Sequence, residues 1–325
     1  MRIVFAVMSA QQSPQTVTQL ADALSPHPVV IHHDFQKRAD FQIDRPNVRF
    51  VPNPKITGWG NWGFTEGIFH ALDFCVKNIE FDYFQLLSPT CLPIRPIREF
   101  EEYVRTSPCD IHGDFISVEQ SDDFLMTFGW RTYVKHASMF FRPMRRAQRW
   151  YFGPDLRVEQ YQSLSVRRRP ASYRGPVANL KASIGLAFTK AARAGLLGQH
   201  PFGPNLRPQM GSTWVGLNPA ACKYLLSRRD EPMVHSHFKH LAIVDEMLFA
   251  TLLANSGLRI GSGNHLINTF NDKGNPAWID DEDMARIVAS ERFFARKFPD
   301  DVNASVRASA LRQLRGQGSV LAPTV

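Results

Sequence analysis

The chain has 325 residues, of which 44% are hydrophobic and 11% aromatic, so it can bury a core as one large domain or two coupled ones. This composition predicts a globular protein, and no run approaches the ~20 consecutive apolar residues that a membrane span needs. The 38 basic and 30 acidic residues give a formal net charge of +8, which suits an anionic partner such as a nucleotide, an acidic glycan, nucleic acid or a membrane surface.

The chain begins with a short apolar segment, Met1–Ser9, and lacks a basic region ahead of a long apolar core. We therefore expect no secretory signal and a cytoplasmic location. No CxxC or metal-type spacing links the cysteines, which are Cys75, Cys91, Cys109 and Cys222. Buried or free thiols in a reducing compartment are the expected result.

Strands and helices alternate over the first hundred residues. Buried-strand patterns at Ile3–Ser9 and Val29–His33 flank an amphipathic helix pattern at Ser13–Leu24. The next predicted elements are a strand, a helix and a strand, at Asn47–Val51, Thr65–Lys77 and Tyr83–Ser88. This order is the βαβ rhythm of an α/β sheet. Because ligands of such sheets bind at the carboxyl ends of strands, the candidate residues there are Ser9, His33, Asp34 and Ser88–Cys91.

The middle of the chain, about residues 140–200, is basic and less regular. Arg142–Arg149 and Arg167–Arg169 are basic stripes with aromatic neighbours, and Val177–Leu197 could form a basic surface helix. We expect this region to be an irregular insertion in a single domain spanning residues 1–315. The last residues, Gly316–Val325, are expected to be a disordered tail.

An acidic pair, Asp245-Glu246, is the strongest candidate for catalysis. A transfer to a hydroxyl needs one carboxylate within hydrogen-bond reach of it, and such a base typically contributes ~10²–10⁴-fold in rate. Glu246 fits this need. The alternative, that both acids only begin the helix Glu246–Asn255 where acids favour the positive helix end, stays open, and Asp245 is expected to be the helix cap.

A lysine between aromatic residues near the end of the chain is the second candidate. Lys297 lies within Phe293–Phe298 and could press a cation against a diphosphate leaving group, with Arg296 beside it. A solvated lysine at a helix end is the alternative. The turn Gly211-Ser212 could let the backbone approach a sugar.

Asp281-Glu-Asp283 spells Asp-x-Asp, the metal signature of many sugar transferases. It opens the predicted helix Met284–Glu291, where Asp residues cap free N–H groups. A metal pair should instead follow the strand that ends at Ser88. We therefore expect no metal ion and no other cofactor.

Several short segments, in this order, resemble glycosyltransferase family 14, the core-2/I-branching β-1,6-N-acetylglucosaminyltransferases and the peptide O-xylosyltransferases. They are Val30–Asp34, Trp59–Phe64, Tyr83–Ile94, Gly211–Glu246 and Phe294–Phe298. The resemblance covers most of the chain. It implies an α/β fold of GT-A-like (Rossmann-like) type, with a mixed sheet flanked by helices. It also implies inverting, metal-independent transfer of a sugar, GlcNAc or xylose, from a UDP-sugar to a glycan or lipid-linked glycan.

The resemblance assigns roles to individual residues. Glu246 would be the general base, Lys297 would neutralise the diphosphate, and Asp34 would contact the uridine. The further donor-binding candidates are Ser9, Ser88, Gly211, Ser212 and Arg296. The acceptor-binding candidates are Trp214, which could stack on a sugar or lie in the core, together with Glu119, Trp130 and Arg131.

Two positions depart from the family pattern. Cys91 stands where the family usually has an Asp, and the family's second phosphate-binding Arg is missing from Ile267–Asp272. Arg259, Lys273 or Arg296 could replace that arginine.

Two other classes remain open, a basic nucleic-acid-binding protein and a membrane-surface scaffold without catalysis. The enzyme reading predicts no nucleic-acid partner. The basic stretch from Arg167 to Arg193 is expected to hold the protein reversibly on the anionic inner face of the membrane.

Overall fold

The computed structural model describes residues 1–154, 156–161, 163–173 and 175–319. Its strands are β1 (Ile3–Ser9), β2 (Val29–His33), β3 (Val48–Phe50), β4 (Tyr83–Leu87), β5 (Leu92–Pro93), β6 (Ile111–Gly113), β7 (Phe115–Ser117), β8 (Arg157–Tyr161), β9 (Leu164–Arg168), β10 (Gln209–Gly211), β11 (Gly216–Leu217), β12 (Ile260–Ser262), β13 (Leu266–Asn268) and β14 (Phe294–Arg296).

The helices are α1 (Pro14–Ala23), α2 (Trp62–Asn78), α3 (Ile97–Thr106), α4 (Asp122–Phe128), α5 (Phe141–Phe152), α6 (Pro176–Arg193), α7 (Pro219–Arg228), α8 (Pro232–Ser236), α9 (Asp245–Ala254), α10 (Asp283–Val288) and α11 (Ser305–Ser319). Short 3₁₀ turns lie at Gly129–Arg131 and Phe238–His240. No helix in the described part of the chain is both long and apolar enough to cross a bilayer.

A seven-stranded sheet in the order β12-β6-β11-β4-β1-β2-β3 forms the centre of the fold. β1 pairs in parallel with β2 and β4, and β6 pairs in parallel with β12. β11 runs antiparallel to both of its neighbours, β4 and β6. The predicted fold class, an α/β fold of GT-A-like (Rossmann-like) type with a mixed sheet flanked by helices, is confirmed.

Every residue of β1 is buried, as expected for a strand covered by helices on both faces. Because successive side chains point to opposite faces, Val4, Ala6 and Met8 join one core cluster and Ile3, Phe5 and Val7 join the other. The first cluster includes residues of α2, α7 and α9, and the second includes residues of α1, α3 and α11. The sheet therefore separates two helical layers.

The predicted elements of the first hundred residues are present with small shifts at their ends. The helix predicted at Ser13–Leu24 is α1, which begins at Pro14, and the Ser13 Oγ accepts a hydrogen bond of 3.2 Å from the Gln15 N–H. This is a normal helix N-cap, with proline at the first helical position. The thiols of Cys75, Cys91, Cys109 and Cys222 are all free.

The basic middle region is regular, contrary to the prediction of an irregular insertion. It contains α5, the antiparallel hairpin β8–β9 and α6. The predicted tail begins inside α11, which continues to Ser319, and residues 320–325 lie outside the described residues.

Candidate active site

A cavity of about 770 Å³ opens at the carboxyl ends of β1 and β4. Ser9 at the end of β1 and Ser88 just after β4 line it. Since β2 lies on one side of β1 and β4 on the other, this is the point where the strand order reverses, and ligands of open α/β sheets bind there. The first turn of α9 and the end of β14 also contribute to the lining, with Glu246 and Arg296.

Glu246 is held by an arginine. The Arg131 Nη1 donates to the Glu246 Oε2 at 2.8 Å, and the two side chains are 10% and 32% exposed. No described residue hydrogen-bonds to the other oxygen, Oε1. The ion pair therefore fixes the carboxylate and leaves one oxygen to accept a proton from a ligand.

Asp245 lies in a different environment, although it is the next residue along the chain. It is buried, and its Oδ2 accepts a hydrogen bond of 2.6 Å from the Thr213 Oγ1. Burial, together with the adjacent charge of Glu246, raises the pKa of Asp245 to about 6. The prediction that Asp245 caps the helix is wrong, because α9 begins at Asp245 itself and its N-cap residue is Val244.

Two adjacent cations lie at the end of β14, Arg296 as its last residue and Lys297 just after it. The Arg296 Cζ lies 4.9 Å from the centroid of the Trp214 ring, and the Lys297 Nζ lies 5.5 Å from that of Trp278. Burial lowers the pKa of both side chains, and for Lys297 the neighbouring charge of Arg296 lowers it further. Neither cation forms an ion pair with a carboxylate among the described residues. They are therefore available to an anionic ligand.

The charge balance of the whole cavity is basic. The carboxylates that line it are Asp245 and Glu246, whereas the basic residues that line it are Lys37, Arg131, Arg167, Lys273, Arg296 and Lys297. Arg167 is held by a hydrogen bond of 2.8 Å from its Nη1 to the Gln148 Oε1. Such a lining attracts a ligand that carries several negative charges.

The predicted donor residues divide into those that line the cavity and those behind it. Ser9, Ser88 and Ser212 line it. Asp34 lies behind the lining, where it accepts hydrogen bonds from the Thr57 N–H at 2.8 Å and the Thr57 Oγ1 at 3.1 Å. Thr57 itself lines the cavity. In this structure Asp34 fixes the Thr57 segment, and its predicted contact with uridine stays a prediction.

Gly211 also lies behind the cavity lining. A Cβ at this position would lie 2.6 Å from the Asp114 carbonyl oxygen, closer than two such atoms can approach. The glycine is thus required for packing between β10 and the backbone next to β7. This argues against the predicted approach of its backbone to a sugar.

Trp214, Trp130 and Arg131 are the predicted acceptor residues that line the cavity. Glu119 lies outside the lining, where its carboxylate accepts a hydrogen bond of 2.9 Å from the Tyr133 OH and forms an ion pair of 2.7 Å with the Arg193 Nε. This placement argues against the predicted acceptor role of Glu119. Trp214 is partly buried against both cores and also lines the cavity, and its predicted stacking on a sugar stays a prediction.

The Asp-x-Asp segment, Asp281–Asp283, lies outside the cavity lining. The Ser305 Oγ donates to the Asp281 Oδ2 at 2.6 Å, and Asp283 pairs with Arg286 at 3.0 Å. The N–H groups of Glu282 and Asp283 donate to the Asp280 Oδ1. The Asp280 N–H donates to the Asp283 Oδ2 at 3.4 Å, so Asp283 caps a free N–H as predicted, whereas Asp281 accepts from a side chain instead. No group of three or more His, Cys, Asp or Glu side chains suited to a metal ion occurs among the described residues.

The structure shows the surroundings of Cys91 and of the candidates for the missing arginine, the two departures from the family pattern. Burial raises the pKa of Cys91 to about 11, so its thiol stays neutral and is not a substitute for a carboxylate. Arg259 is exposed and pairs with Asp110 at 3.3 Å. Of the candidates for the missing arginine, Lys273 and Arg296 line the cavity.

Several cavity residues were not predicted. Trp278 and Trp59 line the cavity, with Trp59 87% exposed at the surface. A second cavity of about 660 Å³ shares Ser163 and Asn268 with the first, and Asp114 also lines it. Asp114 is buried, and both of its carboxylate oxygens lack a hydrogen-bond partner among the described residues. Its position after β6 was the available signal, because it too follows the carboxyl end of a strand.

No family model matches the chain, and no curated protein matches it. Solved structures that are similar include the bifunctional IspDF from Campylobacter jejuni, with 10% identity over 88% of this chain and a TM-score of 0.34. This chain spans 54% of that protein. A putative glucose-1-phosphate thymidylyltransferase from Bacillus anthracis has 9% identity over 80% of this chain and 86% of its own, with a TM-score of 0.33.

Mouse xyloside xylosyltransferase 1 has 11% identity over 91% of this chain and 97% of its own, with a TM-score of 0.32. Similarity at these values carries no conclusion about the activity of this chain. Membership of glycosyltransferase family 14 stays a prediction.

Proposed function

We propose that this chain is an inverting glycosyltransferase that moves a sugar from a UDP-sugar to a hydroxyl of a glycan or lipid-linked glycan without a divalent metal. One observation carries the proposal. A single cavity at the switch point of the sheet holds a carboxylate oriented by an arginine, Glu246 with Arg131, together with the adjacent cations Arg296 and Lys297. A base and a pair of cations without counter-ions are what such a transfer requires.

The proposed step uses these groups as follows. Glu246 takes the proton of the acceptor hydroxyl as that oxygen attacks the anomeric carbon of the donor sugar. The bond between this carbon and the diphosphate oxygen breaks, and its electron pair leaves with UDP. Lys297 and Arg296 stabilise the negative charge that develops on the leaving diphosphate.

Arg131 is a positioning residue in this proposal. Its hydrogen bond to Oε2 holds the Glu246 carboxylate so that Oε1 faces a ligand in the cavity. Trp214 has a similar function for Arg296, because its ring lies against the Arg296 guanidinium. Both contacts hold reactive groups before the substrates bind, and positioning of this kind accelerates transfer.

The first cavity and the second cavity next to it suit the two substrates. Ser9 and Ser88, at the carboxyl ends of β1 and β4, lie where a nucleotide binds in this type of sheet. The second cavity, which shares Ser163 and Asn268 with the first, would hold further sugar units of the acceptor. We assign GlcNAc or xylose as the donor sugar on the resemblance to family 14.

The test is a thermal-shift screen of the full chain against nucleotides with EDTA present, followed by an assay of donor hydrolysis with UDP-GlcNAc and UDP-xylose. We expect UDP to raise the melting temperature, while CMP and AMP do not. A chain that responds to no nucleotide, but binds duplex DNA in a salt-dependent manner, would refute the proposal in favour of a nucleic-acid-binding protein.

A further inference from the structure

The helices α5 and α6 form a surface that the cavity does not use. They pack closely at Gly185, where an added Cβ would lie 2.6 Å from the Ala147 carbonyl oxygen. Only glycine fits there. A groove of about 500 Å³ runs between them. Its walls are Arg142, Arg146, Arg149 and Trp150 from α5, with Ile184 and Phe188 from α6.

The α5 side of this surface is positively charged without compensation. Arg142, Arg146 and Arg149 are exposed and follow the i, i+4, i+7 spacing of one helix face. Neither α5 nor α6 contains an Asp or a Glu. None of these arginines forms an ion pair with a described residue. Their charge is therefore available to an anionic partner.

Three other basic side chains of this region are held in ion pairs. Lys190 pairs with Asp122 at 3.3 Å, and Arg193 pairs with Glu119 at 2.7 Å. Arg168 pairs with Glu159 at 2.8 Å. Lys181 of α6 is exposed and forms no ion pair with a described residue, so the expectation that the stretch from Arg167 to Arg193 holds the protein on a membrane stays a prediction. Of the two helices, α5 carries more of the unpaired charge.

Apolar side chains continue the surface on α6. Val177, Leu180 and Ile184 are 65%, 62% and 48% exposed. Their i, i+3, i+7 spacing places them on one face of the helix, and Ile184 also lines the groove. A row of exposed aliphatic side chains next to free arginines is the pattern of a surface that lies in the headgroup region of a bilayer.

We propose that the face formed by Arg142, Arg146, Arg149, Val177, Leu180 and Ile184 docks on an anionic lipid bilayer. The arginines would contact lipid phosphates, and the aliphatic side chains would enter the boundary between headgroups and acyl chains. Nucleic acid would satisfy the arginines but would leave the aliphatic row in water. The neighbouring Gln148 of α5 lines the cavity, so docking brings the cavity close to the lipid surface.

The experiment measures co-sedimentation of the full chain with vesicles of phosphatidylcholine alone and of phosphatidylcholine mixed with phosphatidylglycerol. We expect binding to the mixed vesicles only, and weaker binding as salt is added. The triple variant Arg142→Ser/Arg146→Ser/Arg149→Ser should partition roughly 10²-fold more weakly, since each basic residue near an anionic surface contributes separately. Leu180→Ser/Ile184→Ser should also weaken binding, with little effect on the salt dependence.

The matched control is Arg49→Ser/Lys223→Ser/Lys239→Ser, which removes the same charge from exposed positions on other elements. It should bind the mixed vesicles nearly as tightly as the unchanged chain. Equal loss in both triple variants would show that net charge alone drives binding and would overturn the proposal. So would equal binding to neutral vesicles, or tighter association with duplex DNA than with mixed vesicles at the same salt. Circular dichroism melts of each variant separate loss of binding from loss of the fold.

Discussion

Two consecutive acids in the cavity have opposite properties because a helix turns their side chains about 100° apart. Asp245 faces the interior, where it accepts a hydrogen bond from Thr213, and Glu246 faces the cavity and Arg131. The sequence placed both acids at the start of a helix and favoured Glu246 as the base. It could not show that Asp245 is buried, because that depends on the distant Gly211–Trp214 segment packing against α9.

The first prediction at this scale concerns the base. Glu246→Gln should leave UDP binding unchanged and lower transfer by about 10²-fold or more, because the amide cannot accept the proton while its volume is nearly the same. Transfer rates and the UDP dissociation constant measure the two effects. The matched control is Glu80→Gln on the exposed surface, and full transfer by Glu246→Gln would remove this residue from the mechanism.

The second prediction follows from the pKa of Asp245, which burial and Glu246 raise to about 6. Because the folded-state pKa of Asp245 lies above the usual value, its protonated carboxyl contributes to the stability of the fold. This contribution is fully present below the pKa of the unfolded chain, about 3.9. It is then lost as the pH rises through the folded pKa. Asp245→Asn should therefore melt higher than the unchanged chain at pH 8, by roughly 2–5 °C, and the difference should narrow or reverse near pH 4. The measurement is the melting temperature of both chains across this pH range. A difference in melting temperature that did not change with pH would contradict the raised pKa of Asp245.

At the scale of elements, the predictable part is the sheet that builds the cavity. β1 and β2 were predicted with their observed limits because apolar residues dominate β1 and begin β2, and polar turns follow both strands. The pairing of α5 with α6 was not predictable. Small residues such as Gly185 and Ala147 indicate close helix packing only when the partner is known, and these positions are far apart in the sequence.

The helix pair gives the third prediction. Gly185→Ala should lower the melting temperature by roughly 2–6 °C, because the added Cβ collides with the Ala147 carbonyl oxygen and forces the helices apart. Gly203→Ala is the matched control, since a Cβ there meets no atom within 4 Å. Equal melting temperatures for the two variants would show that α5 and α6 are not packed as described.

At the scale of the whole molecule, two places contribute to the net charge of +8. Basic side chains outnumber carboxylates in the lining of the cavity, and unpaired arginines lie on the outer face of α5. The composition indicated an anionic partner but could not show two separate sites, because the fold decides which of the other basic side chains form ion pairs. Arg45 with Asp22 and Arg168 with Glu159 are examples.

The last prediction concerns the charge in the cavity. Because Arg296 and Lys297 are proposed to stabilise the leaving diphosphate in place of a metal ion, transfer should survive EDTA and should not increase with added Mn²⁺. Lys297→Ala should lower transfer by about 10²-fold or more, as loss of a preorganised charge contact does. Lys239→Ala, an exposed lysine elsewhere, is the control for charge alone. UDP binding should weaken as salt rises, since the contacts are ionic. Transfer that stops with EDTA and returns with Mn²⁺ would show instead that a metal ion neutralises the diphosphate and that Lys297 only assists it.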